Sequence, residues 1–463
     1  MKIEQIYTGC LAQGAYYIVS EDQAAIIDPL REVQPYLDRL EREGARLKYI
    51  FETHFHADFV SGHLDLSKKT GAPIVYGPTA QPSFPAIIAK DEEIFTIGNV
   101  QVKVLHTPGH TLESVVYLLY DETRVPAAIF SGDTLFLGDV GRPDLAQKSS
   151  SLTKEHLAGM LYDSLYKKIM PLPDEVMVYP AHGAGSACGK KMQKETFDTL
   201  GNQKKINYAL NQSDKESFIK KVLEGLCPPP SYFGQNVEMN KGGYPDFEEV
   251  KRKALKGLTP REFREYAQDL ALVLLDTRRT NAFCRGFVPN SINIGLEGNF
   301  APWVGALIAD VKQPILLVTE EGKEEEAVTR LSRVGFDNVV GYLKGGIDSW
   351  VAVGYETDRI NRISAEEFSN LYEKNTMVLD LRTEEEYAEE HLLGAENRPL
   401  IDIAGWSEEL QEEKEVFIHC AGGYRSMIAA SILCSKGIRK FKEIEGGISA
   451  LKKQESKNLI FVP

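Results

Sequence analysis

Thr53-His54-Phe55-His56-Ala57-Asp58-Phe59, directly after the apolar run Tyr49-Ile50-Phe51, is the stretch from which the fold of this chain reads outward. The run predicts a buried strand that ends by releasing two histidines and an aspartate into a loop. Two residues apart, His54 and His56 would project to one side of an extended backbone. Imidazoles gathered with a carboxylate at a strand end are what a first-row transition metal needs. Three later stretches have the same form. The alternation Val100, Val102, Val104 ends in Leu105-His106-Thr107-Pro108-Gly109-His110-Thr111, and the apolar run from Ala127 ends in Phe130-Ser131-Gly132-Asp133-Thr134. Val176-Met177-Val178-Tyr179 delivers Pro180-Ala181-His182-Gly183. Four strand ends that each release metal-type ligands predict one metal centre.

The chain of 463 residues is long enough for two to four domains with separate cores. A formal net charge of -14 argues against nucleic acid or an anionic membrane as the main partner. The apolar runs, such as Leu270 to Leu275, are too short to span a bilayer, and Met1-Lys2-Ile3-Glu4-Gln5-Ile6 enters a strand-like pattern without a signal segment. Cys10, Cys188, Cys227, Cys284, Cys420 and Cys434 form neither CxxC pairs nor a disulfide framework, which fits a reducing cytoplasm.

Residues 1 to about 200 alternate short β-type runs with amphipathic helical stretches, and residues 196 to 225 read as helical until Cys227-Pro228-Pro229-Pro230 stops them. From Ser231 to about Arg252 the Gly/Asn/Pro-rich composition predicts a connecting segment. The remainder is an internal repeat. Leu275-Asp276-Thr277-Arg278 returns as Leu379-Asp380-Leu381-Arg382, and Leu343-Lys344-Gly345-Gly346-Ile347 as Ile444-Glu445-Gly446-Gly447-Ile448. Thr259-Pro260-Arg261-Glu262 and Ser364-Ala365-Glu366-Glu367 both predict capping boxes. Each copy predicts a small α/β domain with a parallel sheet, so the chain divides into 1–245, 246–357 and 358–463.

The copies differ chemically. In the second, Val416-Phe417-Ile418-His419 runs into Cys420-Ala421-Gly422-Gly423-Tyr424-Arg425-Ser426 before a helix. A thiol at a helix N-terminus meets unpaired N–H groups and the positive dipole end, and Arg425 adds a fixed charge. Both favour the thiolate and would cradle an anion bound on the sulfur. In the first copy the corresponding place reads Thr319-Glu320-Glu321-Gly322-Lys323-Glu324, with no cysteine and a loop expected to be one residue shorter. That copy reads as a packing or docking module, with no role assigned to Cys284.

On these motifs the N-terminal part resembles the metallo-β-lactamase fold, an αββα sandwich, and both repeats resemble rhodanese domains. The whole arrangement is similar to the bacterial persulfide dioxygenase–sulfurtransferase fusions. The most specific pieces are Gly138-Asp139-Val140-Gly141-Arg142-Pro143-Asp144 and the Cys420–Ser426 loop. The resemblance implies one mononuclear non-haem Fe(II) per chain, held by His54, His110 and Asp133, with Zn an alternative occupant on purification. Phe59 stands where dinuclear hydrolases of this fold carry histidine, and a phenyl ring cannot ligate a second metal. His56, Asp58, His182 and Arg142 would then support or orient, Cys188 and His63 would be structural or stand just behind the site, and His106, His156 and His391 would be structural.

The implied activity is oxidation of a low-molecular-weight thiol persulfide (of glutathione, CoA, cysteine or another carrier) by O2 to sulfite. Cys420 would carry sulfane sulfur as a persulfide, with Arg425, Ala421, Gly422, Gly423, Tyr424 and Ser426 around it, and pass it to sulfite as thiosulfate. The expected setting is a cytoplasmic homo-oligomer. Two other readings remain: a glyoxalase II-type Zn thioesterase fused to a sulfurtransferase, and a sulfur-relay protein with an inactive metal domain.

Overall fold

Side chains of the strand Gln13–Ser20 part by simple alternation, and that alternation builds the N-terminal sandwich. Tyr16 and Ile18 point into one buried cluster with Phe51, Val102, Tyr117 and Phe130, whereas Ala15, Tyr17 and Val19 point the other way, into a cluster with Tyr36, Leu40 and Leu66. The structure, a computed structural model, describes residues 1–145, 152–226, 228–269, 271–410, 415–454 and 459–463. Cys227 and Leu270, which carried the helix stop and the start of one apolar run, lie outside the described residues. The chain divides into two compact units, Met1–Glu249 with Ser332–Gly335, and Val250–Leu331 with Phe336–Pro463. Among the described residues, no helix is long and apolar enough to cross a membrane.

In the first unit two six-stranded sheets face each other. One holds, in spatial order, Lys2–Thr8, Gln13–Ser20, Gln23–Ile27, Arg46–Phe51, Ile74–Tyr76 and Ile87–Ile88. The other runs Asp198–Thr199, Met177–Pro180, Pro126–Gly132, Val115–Tyr120, Val100–His106 and Ile94–Ile97. The cluster around Tyr16, Phe51 and Phe130 fills the space between them. The helices Gln34–Glu43 and His63–Thr70 cover the outer face of the first sheet, and Lys154–Ser164 and Lys215–Leu223 that of the second. This is an αββα sandwich.

Two stretches fold otherwise than their composition predicts. Residues 196 to 225 form no single helix: Leu200–Ile206 stops at Asn207, and Lys215–Leu223 starts afresh with Asp214 accepting from Ser217 N–H. Asn207 turns the chain because its amide donates to the carbonyls of Phe136 and Asp139 while its oxygen accepts from Ala209 N–H. The segment expected to connect domains contains the helices Phe233–Gly242 and Phe247–Ala254, with Phe233, Asn236 and Asn240 buried in the first of them.

The second unit shows the repeat in its topology. Both copies form a five-stranded sheet with the same strand order: Gly257–Leu258, Val339–Leu343, Ile315–Val318, Val273–Asp276, Ile292–Asn293 in one, and Arg362–Ile363, Phe441–Ile444, Val416–His419, Met377–Asp380, Glu396–Asn397 in the other. All pairings in both are parallel. The repeated Asp-x-Arg is a buried ion pair, 2.6 Å in each copy, whose arginine also donates to a carbonyl eight residues on. Asn293 and Asn397 donate to the carbonyls of the aspartate and the arginine, each in its own copy. Both expected capping boxes are present. The first copy's loop is not shorter: Thr319–Lys323 separates strand from helix there, against Cys420–Gly423 in the second.

Candidate metal centre and thiol loop

His54 follows the strand Arg46–Phe51, and its ring is aimed by a chain of hydrogen bonds that begins at Asp28. The two Asp28 oxygens accept from the backbone N–H and the hydroxyl of Thr53, each at 2.8 Å. Thr53 has one hydroxyl proton, and Asp28 takes it. The contact of 3.0 Å between Thr53 Oγ1 and His54 Nδ1 therefore requires the imidazole to donate from Nδ1, which leaves the Nε2 lone pair free. His110 is set the same way: Nδ1 lies 2.9 Å from the Arg142 carbonyl, a pure acceptor. Asp28 holds φ 50, a left-handed backbone uncommon for a residue with a side chain.

The freed nitrogens converge on Asp133. Its Oδ2 is 3.4 Å from His110 Nε2 and 3.9 Å from His54 Nε2, and His54 Nε2 and Asp133 Oδ2 are buried without a hydrogen-bond partner among the described residues. Two orphaned buried atoms facing a third ligand nitrogen fit a cation held by His54, His110 and Asp133. Burial alone would raise the Asp133 carboxyl, but His182, His54 and His110 hold it well below the usual carboxylate range. Burial, with the neighbouring imidazoles, keeps His54 neutral and lowers its pKa well below the usual value. Gly141 closes the corner: a Cβ there would lie 2.0 Å from the Asp133 carbonyl and 3.0 Å from His110 Nδ1.

The residues expected to support the centre occupy two flanks. On one, His182 lies between carboxylates, Nδ1 at 2.8 Å from Asp133 Oδ1 and Nε2 at 2.8 Å from Asp58 Oδ2. Burial works against its charge, yet the two carboxylates raise its pKa well above the ordinary value. Cys188, buried, comes into this flank, with a thiol pushed up by burial and by Asp58 and Asp133. Phe59, fully buried, stacks at 4.3 Å on the His56 ring and stands edge-on to His182 at 6.5 Å. On the other flank, His56 is turned away from Asp133, with Nε2 at 3.0 Å from Asp28 Oδ1 and 3.6 Å from Glu52 Oε2. His63 Nδ1 is 3.6 Å from the same Glu52, whose carboxyl burial and Asp28 push well up. Arg142 forms a fork on Asp144 at 2.7 Å. His106 is tied to the Leu112 carbonyl and His391 to that of Tyr387, while His156 is exposed on its helix.

A cavity of about 320 Å³ opens at the His110 face, walled by Phe55, Ala57, Thr111, Glu113, Val237 and Lys241. Val237 and Lys241 belong to the helix that the sequence reads as a connector, and so does Asn240. The Asn240 amide donates to the carbonyls of His56 and Phe59, each at 2.8 Å, and its oxygen accepts from Ser61 N–H at 2.9 Å. Sequence reasoning missed it, together with the aiming role of Thr53. Asp28 ends the run Ala25-Ile26-Ile27 as Asp133 ends its own, a signal that could have found it.

In the second unit Cys420 lies buried at the end of Val416–His419, beneath the N-terminus of the helix Tyr424–Ser435. Gly423 N–H donates to Cys420 Sγ at 3.2 Å, and Ser426 Oγ lies 3.6 Å from it. Arg425 is held by both oxygens of Glu386, at 2.5 and 2.7 Å. Gly447, at φ 57, lets the next helix approach: a Cβ there would meet the Cys420 carbonyl at 2.2 Å. Cys284, in the first copy, is half-buried and donates to the Asn281 carbonyl.

Sequence comparison agrees with this architecture. The model of the metallo-beta-lactamase superfamily matches residues 8–182, and that of the rhodanese-like domain matches 259–353 and 364–454. A probable hydroxyacylglutathione hydrolase of Schizosaccharomyces pombe is 30% identical over 249 residues, 48% of this chain and 91% of that protein. A hydroxyacylglutathione hydrolase of Pelagibacter ubique is 33% identical over 178 residues, 37% of this chain and 68% of that protein. Among solved structures, a metallo-beta-lactamase from Staphylococcus aureus is 31% identical with a TM-score of 0.66, covering 74% of this chain and 99% of that one. An αββα sandwich with histidines and an aspartate gathered at its strand ends defines the class. The chain belongs to the metallo-beta-lactamase superfamily and carries two rhodanese-like domains after that fold.

Proposed function

We propose that the protein oxidises a low-molecular-weight thiol persulfide at the His54–His110–Asp133 centre and moves sulfane sulfur through Cys420. The observation that carries the reading is the pairing of a two-histidine, one-carboxylate site, with Phe59 beside it, and a thiol under a helix N-terminus in the same chain. In balance, R–SSH, O2 and water give R–SH, sulfite and two protons. Bound Fe(II) would supply open coordination positions for sulfur and O2 and pass electrons between them. His54, His110 and Asp133 would hold it, with Thr53 and the Arg142 carbonyl keeping both imidazoles in the ligating tautomer. His182 fixes Asp133 through Oδ1 and leaves Oδ2 for the metal. The cavity at His110 would take the thiol carrier, with Phe55, Ala57 and Val237 as apolar wall and Lys241 and Glu113 as its charges. In the second unit, the Cys420 persulfide gives its outer sulfur to sulfite, forming thiosulfate and regenerating the thiolate, with Gly423 N–H on the sulfur.

A second reading has its own support, in the relatives named hydroxyacylglutathione hydrolases: a Zn-dependent thioesterase at the same three ligands. Anaerobic purification with metal analysis, followed by an oxygen-electrode assay with glutathione or CoA persulfide, separates the two. Iron near one equivalent and persulfide-dependent O2 uptake are expected. Zinc with hydrolysis of S-lactoylglutathione and no O2 uptake would establish the thioesterase.

A further inference from the structure

Against the thiol loop lies a buried carboxylate that has no part in the proposed sulfur transfer. Glu443, on the strand Phe441–Ile444, is fully buried, and its two oxygens are engaged on opposite sides. Oε2 lies 2.6 Å from Arg362 Nε, and Oε1 accepts the Ser426 hydroxyl at 2.7 Å. Ser426 Oγ in turn lies 3.6 Å from Cys420 Sγ. In the first copy, three residues before the matching glycine pair, the residue is Tyr342 and the cysteine is absent, so carboxylate and thiol occur together in one copy only. Taking a charged pair out of water has a cost that packing alone does not require at a strand position.

We propose that Glu443 is the proton acceptor for the Cys420 thiol, acting through Ser426; this rests on the sulfurtransferase reading of the second unit. A serine hydroxyl has one proton, and Ser426 gives it to Glu443, so towards Cys420 the oxygen can only accept. The chain then reads S–H to Ser426 Oγ, and Ser426 O–H to Glu443 Oε1. Activation breaks the S–H bond: the thiol proton passes to Ser426 Oγ as the serine proton passes to the carboxylate, leaving a thiolate under Gly423 N–H. The thiolate attacks the outer sulfur of the donor, forming one S–S bond while the donor's own S–S bond breaks and its thiolate or sulfite leaves with the electron pair. When the Cys420 persulfide has passed its sulfur on, the thiolate takes the proton back along the same two bonds. Arg425 is held by Glu386 and so is not the group that receives this proton.

The groups facing Glu443 are Arg362 on the neighbouring strand, which also reaches Glu445 at 3.4 Å, and Ser426 with Cys420 on the helix side. Cys284 of the first copy is close enough for its thiol to respond to Glu443 and Arg362. Burial pushes the Glu443 carboxyl up to about 7 against the pull of Arg362 and Ser426, which suits an acceptor that exchanges a proton near neutrality.

The test uses the full chain with thiosulfate as sulfur donor and cyanide as acceptor, across a pH series. Glu443→Gln keeps the shape and loses the acceptor. Its transfer rate is expected to fall about a hundredfold at neutral pH, with the acid limb of the profile displaced upward and the KM for thiosulfate nearly unchanged. Glu443→Asp is expected to restore part of the rate. Ser426→Ala, which leaves the Glu443–Arg362 pair in place, is expected to displace the profile in the same sense and carries the test if Glu443→Gln does not fold. A profile for the folded variants that superimposes on that of the parent, while Cys420→Ser abolishes transfer, overturns the role of Glu443. Full transfer by Cys420→Ser would instead overturn the sulfurtransferase reading beneath it.

Discussion

At the scale of single residues, the metal centre depends on where one hydroxyl proton goes. Thr53 gives its proton to Asp28 and so makes His54 a donor at Nδ1 with a free lone pair at Nε2. Thr53→Val preserves the side-chain shape and removes that constraint, leaving Asp28 Oδ2 without its donor and His54 free to take either tautomer. Metal affinity is expected to fall about 10- to 100-fold in a chelator competition, with circular dichroism unchanged. Glu443 gives a pH prediction with a definite sign. Its folded pKa, about 7, lies above the ordinary carboxylate value. The folded state therefore holds the proton more tightly than the unfolded one, and stability is fully present at acid pH and lost as pH rises through about 7. The loss is about 3 kcal/mol across that window. Glu443→Gln, which cannot ionise, should melt progressively higher relative to the parent between pH 5 and pH 8 in thermal scans. A difference independent of pH would mean that Glu443 stays ionised throughout.

At the scale of elements, the helix Phe233–Gly242 matters more to the site than its sequence suggests. Asn240 ties together three backbone groups of the loop that follows His54, and with Val237 and Lys241 the same helix walls the cavity at His110. Asn240→Ala leaves two carbonyls and one N–H buried without that partner. A loss of about 2–3 kcal/mol is expected in urea denaturation, together with faster loss of bound metal, whereas a change at an exposed position of this helix, such as Glu238→Ala, should do neither. This helix also marks the limit of what the sequence makes legible. The strand ends that release His54, His110, Asp133 and His182 are readable because apolar runs stop at chemistry-bearing residues. The two repeats are readable because Asp-x-Arg and Gly-Gly recur at nearly fixed spacing. The helix Phe233–Gly242 is not readable, because its asparagines and glycines are those of a loop and its helicity comes from burial against the first sheet's outer face, where Val237 packs. The tie between Asp28 and Thr53 spans 25 residues and exists only once two strands lie side by side. Glu443 is hidden for another reason: its partners Arg362 and Ser426 lie 81 and 17 residues away, and only the parallel register sets it beside Arg362 and Ile418.

At the scale of the whole molecule, the two proposed centres belong to different compact units, the candidate metal site to the first and Cys420 to the second. Within the second unit the copy without a loop cysteine supports the copy that has one. Ser431, on the helix that follows the thiol loop, accepts the Asn293 N–H through its hydroxyl oxygen at 2.9 Å, and the Tyr424 hydroxyl donates to the Gly295 carbonyl at 2.7 Å. Gly298 completes this contact, since a Cβ there would meet the Tyr424 ring at 2.3 Å. The first copy thus keeps the sheet of its fold and uses the strand Ile292–Asn293 and the loop after it to brace the helix whose N-terminus faces the sulfur. This separation of centres, with bracing inside one unit, gives a paired prediction. His110→Ala is expected to abolish persulfide-dependent O2 uptake and leave thiosulfate–cyanide sulfur transfer within about twofold of the parent, and Cys420→Ser is expected to do the reverse. Gly298→Ala is expected to lower only sulfur transfer, by forcing Tyr424 and with it the start of the helix to shift. Loss of O2 uptake in Gly298→Ala, with the protein still folded, would show that the centres do not work independently.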